Sequence, residues 1–144
     1  MIKIICVGKL KEKYIIDLVN DYSNRINKYH KLEIIELKDS NIKNEANEIK
    51  KYINSKDYVI TMEIEGNKLS SLELSKKIDN LLMNYGNITF IIGGSDGIDE
   101  SIKQLANYAI SFSNLTFPHG LFRGILLEQI YRSFKILNNE AYHK

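Results

Sequence analysis

Proline occurs once in this chain, cysteine once and histidine three times among 144 residues, and each scarcity closes off a class of protein. The single cysteine, Cys6, allows neither an intramolecular disulfide nor a cysteine metal cluster. Its place in the apolar run Ile4-Ile5-Cys6-Val7 reads as a buried thiol in a reducing compartment. His30, His119 and His143 lack the short spacing of metal ligands, so no metal is expected. No stretch approaches a membrane span, and the first apolar run is too short for a signal-peptide core. A cytoplasmic protein is therefore expected. The net charge of +2 is too small to argue for nucleic acid by itself. No repeat, low-complexity tract or Gly/Ser-rich linker divides the chain, and 44% apolar with 26% charged residues fits one soluble domain over residues 1–144.

What is present alternates. Short, nearly continuous apolar runs at Ile2–Val7, Leu32–Leu37, Tyr58–Met62, Ile88–Ile92 and Ala109–Phe112 have the pattern of strands covered on both faces. Between them lie helical patterns. Tyr14, Ile15, Leu18, Val19, Tyr22, Ile26 and Tyr29 share one face; Ala46, Ile49 and Ile53 mark a shorter helix. Ser70 with Glu73 forms a capping box ahead of Leu74, Ile78, Leu81 and Leu82, and Asp99 opens a short helix carrying Ile102, Leu105 and Ala106. The alternation predicts an α/β fold: a single domain with a mainly parallel sheet of about five strands flanked by helices.

Ligands of such sheets sit where loops leave the carboxyl ends of strands. Three loops qualify: Glu63 to Asn67 after the third strand, Gly93-Gly94-Ser95-Asp96-Gly97 after the fourth, and Ser113 to His119 after the fifth. The glycine turn lets backbone approach a ligand, yet such turns are also common punctuation. No Lys-Ser or Lys-Thr pair follows it, which excludes a phosphate-binding P-loop, and it is not the dinucleotide fingerprint. In the last loop, polar Ser113, Asn114 and Thr116 stand between Phe112 and Phe117, a mixture suited to a flat heterocycle or equally to a well-satisfied core loop.

The closing segment, from Phe117-Pro118-His119 to Tyr142-His143-Lys144, reads as specified rather than frayed. On a helical wheel Ile125, Leu126, Leu127, Ile130, Tyr131, Phe134, Ile136 and Leu137 cover most of the circumference, leaving Glu128, Arg132 and Lys135 as a narrow polar stripe. That helix is expected to be covered on more than one side. Arg123 falls in angle between Ile130 and Phe134, where it is either an arginine snorkelling past apolar neighbours or a cation held at the rim of a site. From His119 onward four basic side chains face two acidic ones, the whole of the net excess, and Lys9, Lys11 and Lys13 form a second basic knot. Solvated loop lysines and phosphate contacts both fit these patches.

Four ordered motifs now combine. Phe90-Ile91-Ile92-Gly93-Gly94-Ser95-Asp96-Gly97, the run from Tyr108 to His119, Leu127-Glu128-Gln129-Ile130-Tyr131-Arg132, and Ala141-Tyr142-His143-Lys144 together resemble the bacterial 23S rRNA pseudouridine N3-methyltransferases. These are small members of the SPOUT superfamily. The opening Val7-Gly8-Lys9-Leu10-Lys11 also matches, so the likeness spans the chain, although the stretch between Lys38 and Ile53 is shorter than usual.

The resemblance implies a homodimer with a C-terminal trefoil knot that binds S-adenosylmethionine and methylates N3 of a pseudouridine in a 23S rRNA hairpin loop on the assembled ribosome. Carried over by position, it gives Met62, Gly93, Phe112, Ser113, Asn114, Leu115, Thr116 and Phe117 as cofactor-binding residues. Arg123, Tyr142 and His143 are the expected catalytic group, with His119 and Lys144 meeting the substrate. A non-enzymatic ribosome-binding module of the same fold and a SPOUT methyltransferase acting on tRNA are the competing readings.

Overall fold

A computed structural model describes residues 1–144. Its five strands are β1 (Ile2–Val7), β2 (Leu32–Leu37), β3 (Asp57–Lys68), β4 (Asn87–Ile92) and β5 (Tyr108–Ser111). They form one sheet in the order β2-β1-β4-β3-β5, and every pairing is parallel. The helices α1 (Lys13–Asn27), α2 (Ile42–Lys51), α3 (Ser71–Asn84), α4 (Glu100–Leu105) and α5 (His119–Leu137) alternate with the strands. No helix is long and apolar enough to cross a membrane.

The continuous apolar runs are explained by two cores. Alternate strand residues Ile2, Ile4, Ile60, Ile88, Phe90 and Ile110 pack beneath α1, α3 and α5, while Ile5, Val7, Val59 and Ile91 pack beneath α2 and α4. Because a strand sends successive side chains to opposite faces, a sheet buried on both faces needs apolar residues at every position. Cys6 lies in the first core, and burial pushes its thiol up to about 11, which keeps it protonated and inert.

Local signals set the helix ends. The capping box at Ser70 is complete: its hydroxyl accepts from the Glu73 amide and the Glu73 carboxylate accepts from the Ser70 amide. Asn41 and Asp99 cap α2 and α4. Helix α5 starts at His119, directly behind Pro118.

The third strand departs from the sequence expectation. It runs to Lys68 instead of ending at Met62, and both Met62 and Asn67 pair with Ile110, so residues 63–66 bulge out. Gly66 makes this closure possible, since a Cβ there would lie 2.8 Å from the Ile110 backbone. The pattern concealed this because the bulge carries charged side chains and breaks the apolar run.

Within one chain, the last helix is buried along one broad side. Arg123, Leu126, Leu127, Ile130, Tyr131 and Phe134 are buried, and α5 packs against α1 and α3. Phe122, Ile125, Gln129, Arg132 and Ile136, successive at three or four residues, stay half-exposed along the opposite side.

Candidate functional site

The carboxyl ends of β3, β4 and β5 open onto one cavity of about 370 Å³. That is within the range of small-molecule sites, at the place where a parallel sheet offers one. The β3 bulge supplies Met62, Glu63, Ile64 and Glu65, the turn after β4 supplies Gly93, Gly94, Ser95 and Gly97, and the segment after β5 supplies Phe112 through Phe117, apart from Asn114. His119 and Phe122 close it from the first turn of α5, and Lys103 from α4.

The glycine turn is built by close approach. A Cβ on Gly93 would meet the Gly97 carbonyl oxygen at 2.5 Å. Gly97 takes φ +83°, a conformation that favours glycine, and its amide donates to the Gly94 carbonyl at 3.0 Å. A larger residue at position 93 would push this turn into or away from the cavity.

The opposite wall is aromatic. The Phe122 ring stands 5.4 Å from Phe112 and 6.0 Å from Phe117, centroid to centroid. Ser113 is committed to the loop itself: its hydroxyl accepts from the Leu115 amide at 3.0 Å, and its carbonyl accepts from the Ser111 hydroxyl. Leu115 is 70% exposed at the rim. The result is a cavity that combines aromatic side chains with a glycine turn, which suits a planar heterocycle carrying polar edges.

Seven of the eight expected cofactor positions, and His119, therefore line the cavity. Asn114 is exposed and does not. The expected group of Arg123, Tyr142 and His143 is not assembled within one chain. Arg123 is only 2% exposed; its Nη1 pairs with Glu36 Oε2 at 2.5 Å, and its Nη2 donates to the Gly8 carbonyl at 3.0 Å. It joins the first turn of α5 to β2 and to the loop after β1. Its position on the buried side of the wheel carries that information, but no spacing in the chain points to its carboxylate partner.

Tyr142 and His143 instead fold back on the far half of α5. The Tyr142 hydroxyl donates to Glu128 at 3.1 Å and meets the Tyr22 hydroxyl at 3.3 Å, while its ring lies edge-on to Tyr131 and beneath the Arg132 guanidinium. Burial, then the Tyr22 and Glu128 contacts, push the Tyr142 hydroxyl well above its usual range. Arg132, held to Glu128 by two hydrogen bonds, reaches His143 with its third nitrogen. Lys144 is exposed. Ten residues of helix separate Phe122 from Arg132, about 15 Å along α5, so tail and cavity occupy different ends of that helix.

Arg132 lies on the polar stripe, where spacing alone gives it no site role. Lys103 carries one sequence signal, a position on the helix that follows the glycine turn. No group of three or more His, Cys, Asp or Glu side chains is placed to hold a metal ion.

Comparison with known proteins adds an independent finding. The family model described as "Predicted SPOUT methyltransferase" matches residues 1–143. A ribosomal RNA large subunit methyltransferase H of Clostridium botulinum (strain Alaska E43 / Type E3) is 50% identical, with 99% of each chain covered. A putative ribosomal RNA large subunit methyltransferase H of Methanococcus maripaludis is 47% identical over the same shares. Both alignments run over 157 positions against a chain of 144 residues, so this chain is shorter than these relatives. Among solved structures, a probable methylase family protein from Haemophilus influenzae Rd KW20 superposes with a TM-score of 0.60 at 11% identity, covering 99% of this chain and 70% of that one. The SpoU methyltransferase AviRb from Streptomyces viridochromogenes, solved in complex with the cofactor AdoMet, gives 0.52 at 7% identity, covering 92% and 57%. At such identities these two establish the fold alone.

Proposed function

This chain belongs to the SPOUT methyltransferase family, and from that premise we propose that it methylates N3 of a pseudouridine in a 23S rRNA hairpin loop on the assembled ribosome. It is an S-adenosylmethionine-dependent methyltransferase. The reading is carried by the cavity at the ends of β3, β4 and β5, in a chain matched end to end by relatives named for methylation of large-subunit rRNA.

The cavity suits the methyl donor on its own terms. Phe112, Phe117 and Phe122 with Met62 and Ile92 offer an apolar slot for adenine, and the Gly93 turn keeps side chains out of the way of a close backbone approach. When bound, S-adenosylmethionine supplies a methyl group activated on a positively charged sulfur. The protein's own work is to align that methyl with the ring nitrogen, exclude water from the transfer itself, and stabilise the uracil anion left once N3–H has given its proton to solvent.

We assign the charge to the tail. A guanidinium can only donate, so the Arg132 contact makes His143 Nδ1 an acceptor and leaves the proton on Nε2. A neutral imidazole held in that tautomer presents Nε2–H as a donor to the developing uracil anion.

Tail and cavity lie apart in one chain, so the complete site requires a second copy. The half-exposed stripe Phe122, Ile125, Gln129, Arg132 and Ile136 is the proposed contact of a cytoplasmic homodimer that brings one tail to its partner's cavity. The return of α5 between α1 and α3, after β5 has reached the sheet edge, supports the trefoil knot expected of the family. A dimer also doubles the exposed Lys9 and Lys11 patch near α5, whose Leu10 would meet a Cβ on Gly120 at 3.1 Å. Arg123, buried and paired, holds that loop against α5 rather than facing RNA. Labelled-methyl transfer to ribosomes tests the reading: label in 23S rRNA is expected, and label confined to tRNA, or none, contradicts it.

A further inference from the structure

The cavity's lining contains one lysine or arginine, Lys103, and it is paired. Lys103 Nζ lies 3.3 Å from Glu63 Oε1, while the other oxygen of that carboxylate accepts a 2.6 Å hydrogen bond from the buried Thr61 hydroxyl. The pair is partly shielded, with side chains 17% (Glu63) and 37% (Lys103) exposed. Glu63 sits on the β3 bulge and Lys103 on α4, so two separate elements deliver opposite charges to one edge of the cavity, while Glu65, also on the bulge, is exposed to solvent.

We propose that Glu63 and Lys103 form the subsite for the amino-acid end of the methyl donor, Lys103 receiving its carboxylate and Glu63 its ammonium. This rests on reading the cavity as the donor pocket. Donor and site match in charge. The donor's free end carries one positive and one negative group on a single carbon, and the Glu63–Lys103 pair offers one of each, side by side. Without a ligand, Glu63 and Lys103 neutralise each other; with the zwitterion between them, each exchanges one partner for another and no charge is left unpaired in a partly dry site. A nucleoside lacking the amino acid cannot offer this exchange. The pair therefore discriminates the intact donor and its demethylated product from fragments of the same nucleoside.

Thr61 gives the subsite its direction. Its hydroxyl is fixed by burial, so Glu63 is oriented before anything binds, and only the longer and more exposed Lys103 has to move.

Calorimetric titration of the full chain with S-adenosylhomocysteine and with 5′-methylthioadenosine, which lacks the amino acid, tests this without any turnover. Lys103→Met should weaken S-adenosylhomocysteine about tenfold or more and leave methylthioadenosine within about twofold. Glu63→Gln, which keeps shape and the Thr61 contact, should show the same selective loss. Equal weakening of both ligands, or unchanged S-adenosylhomocysteine binding in both variants, overturns the subsite. Failure of the unaltered chain to bind either nucleoside overturns the donor-pocket reading beneath it.

Discussion

Arg132 and His143 meet, Nη1 to Nδ1, at 3.1 Å, although eleven positions separate them. The contact fixes the histidine tautomer, and Glu128 in turn fixes the arginine through two hydrogen bonds to one carboxylate oxygen. The closing residues are thus an ordered extension of α5, aligned by that helix's polar stripe.

Removing the tail should separate binding from chemistry. Deletion of Tyr142–Lys144 is expected to abolish methylation while donor affinity stays within about twofold, and His143→Ala should lower kcat about 100-fold. Donor titration alongside single-turnover kinetics reads both quantities. Unchanged turnover would remove the tail from the mechanism.

Gly93→Ala should damage the cavity from inside. The added Cβ would sit 2.5 Å from the Gly97 carbonyl oxygen, so the turn must shift. Overpacking of this kind costs about 1–3 kcal/mol. Thermal denaturation should register that loss, and donor affinity should fall about tenfold or more.

The buried pair Lys3–Asp57, 3.1 Å apart and almost without exposure, makes a stability prediction. Burial raises the Asp57 carboxyl, but hydrogen bonds from the Asn54 amide, Asn87 and Lys3 outweigh it and hold the group below its ordinary value of 3.8. Its contribution is therefore present above about pH 4 and lost as pH falls through the depressed folded value. Asp57→Asn leaves the Lys3 ammonium buried without its counter-charge and should cost about 3–5 kcal/mol in urea unfolding at pH 7. Replacing both partners with apolar residues should cost far less.

His30 gives the opposite end of the acid range. Burial lowers it below its ordinary 6.5, and its Nε2 has no hydrogen-bond partner beside the Phe134 ring. A depressed histidine disfavours the charged form in the folded state, so stability should be full above pH 6.5 and decline as pH drops below it. Unfolding midpoints at pH 7.5 and 5.5 should differ less in His30→Gln than in the unaltered chain.

Much of the fold was legible because its cues are local. Apolar runs such as Ile88–Ile92 report burial on both faces, and Ser70 with Glu73 is a helix start that needs no tertiary information. The β3 bulge was not legible, since Gly66 is required by the backbone of Ala109 and Ile110, more than forty positions later. The cavity loops could be read from Gly93, Phe112 and Phe117, yet the Glu63–Lys103 and Arg123–Glu36 pairs depend on which elements meet across the sheet. Strand order, not spacing, makes those contacts. The wheel placed Arg123 among buried residues correctly, but an angle on a helix cannot distinguish a paired structural arginine from one waiting for substrate.

Methylation of N3 of pseudouridine in 23S rRNA can be read from the RNA itself. The most direct test incubates the protein and S-adenosylmethionine with ribosomes lacking the modification, then digests the rRNA and weighs its nucleosides by mass spectrometry. 3-Methylpseudouridine is expected in the 23S digest only when protein and donor are both present. A digest without it, from protein shown to bind the donor, would contradict the claim.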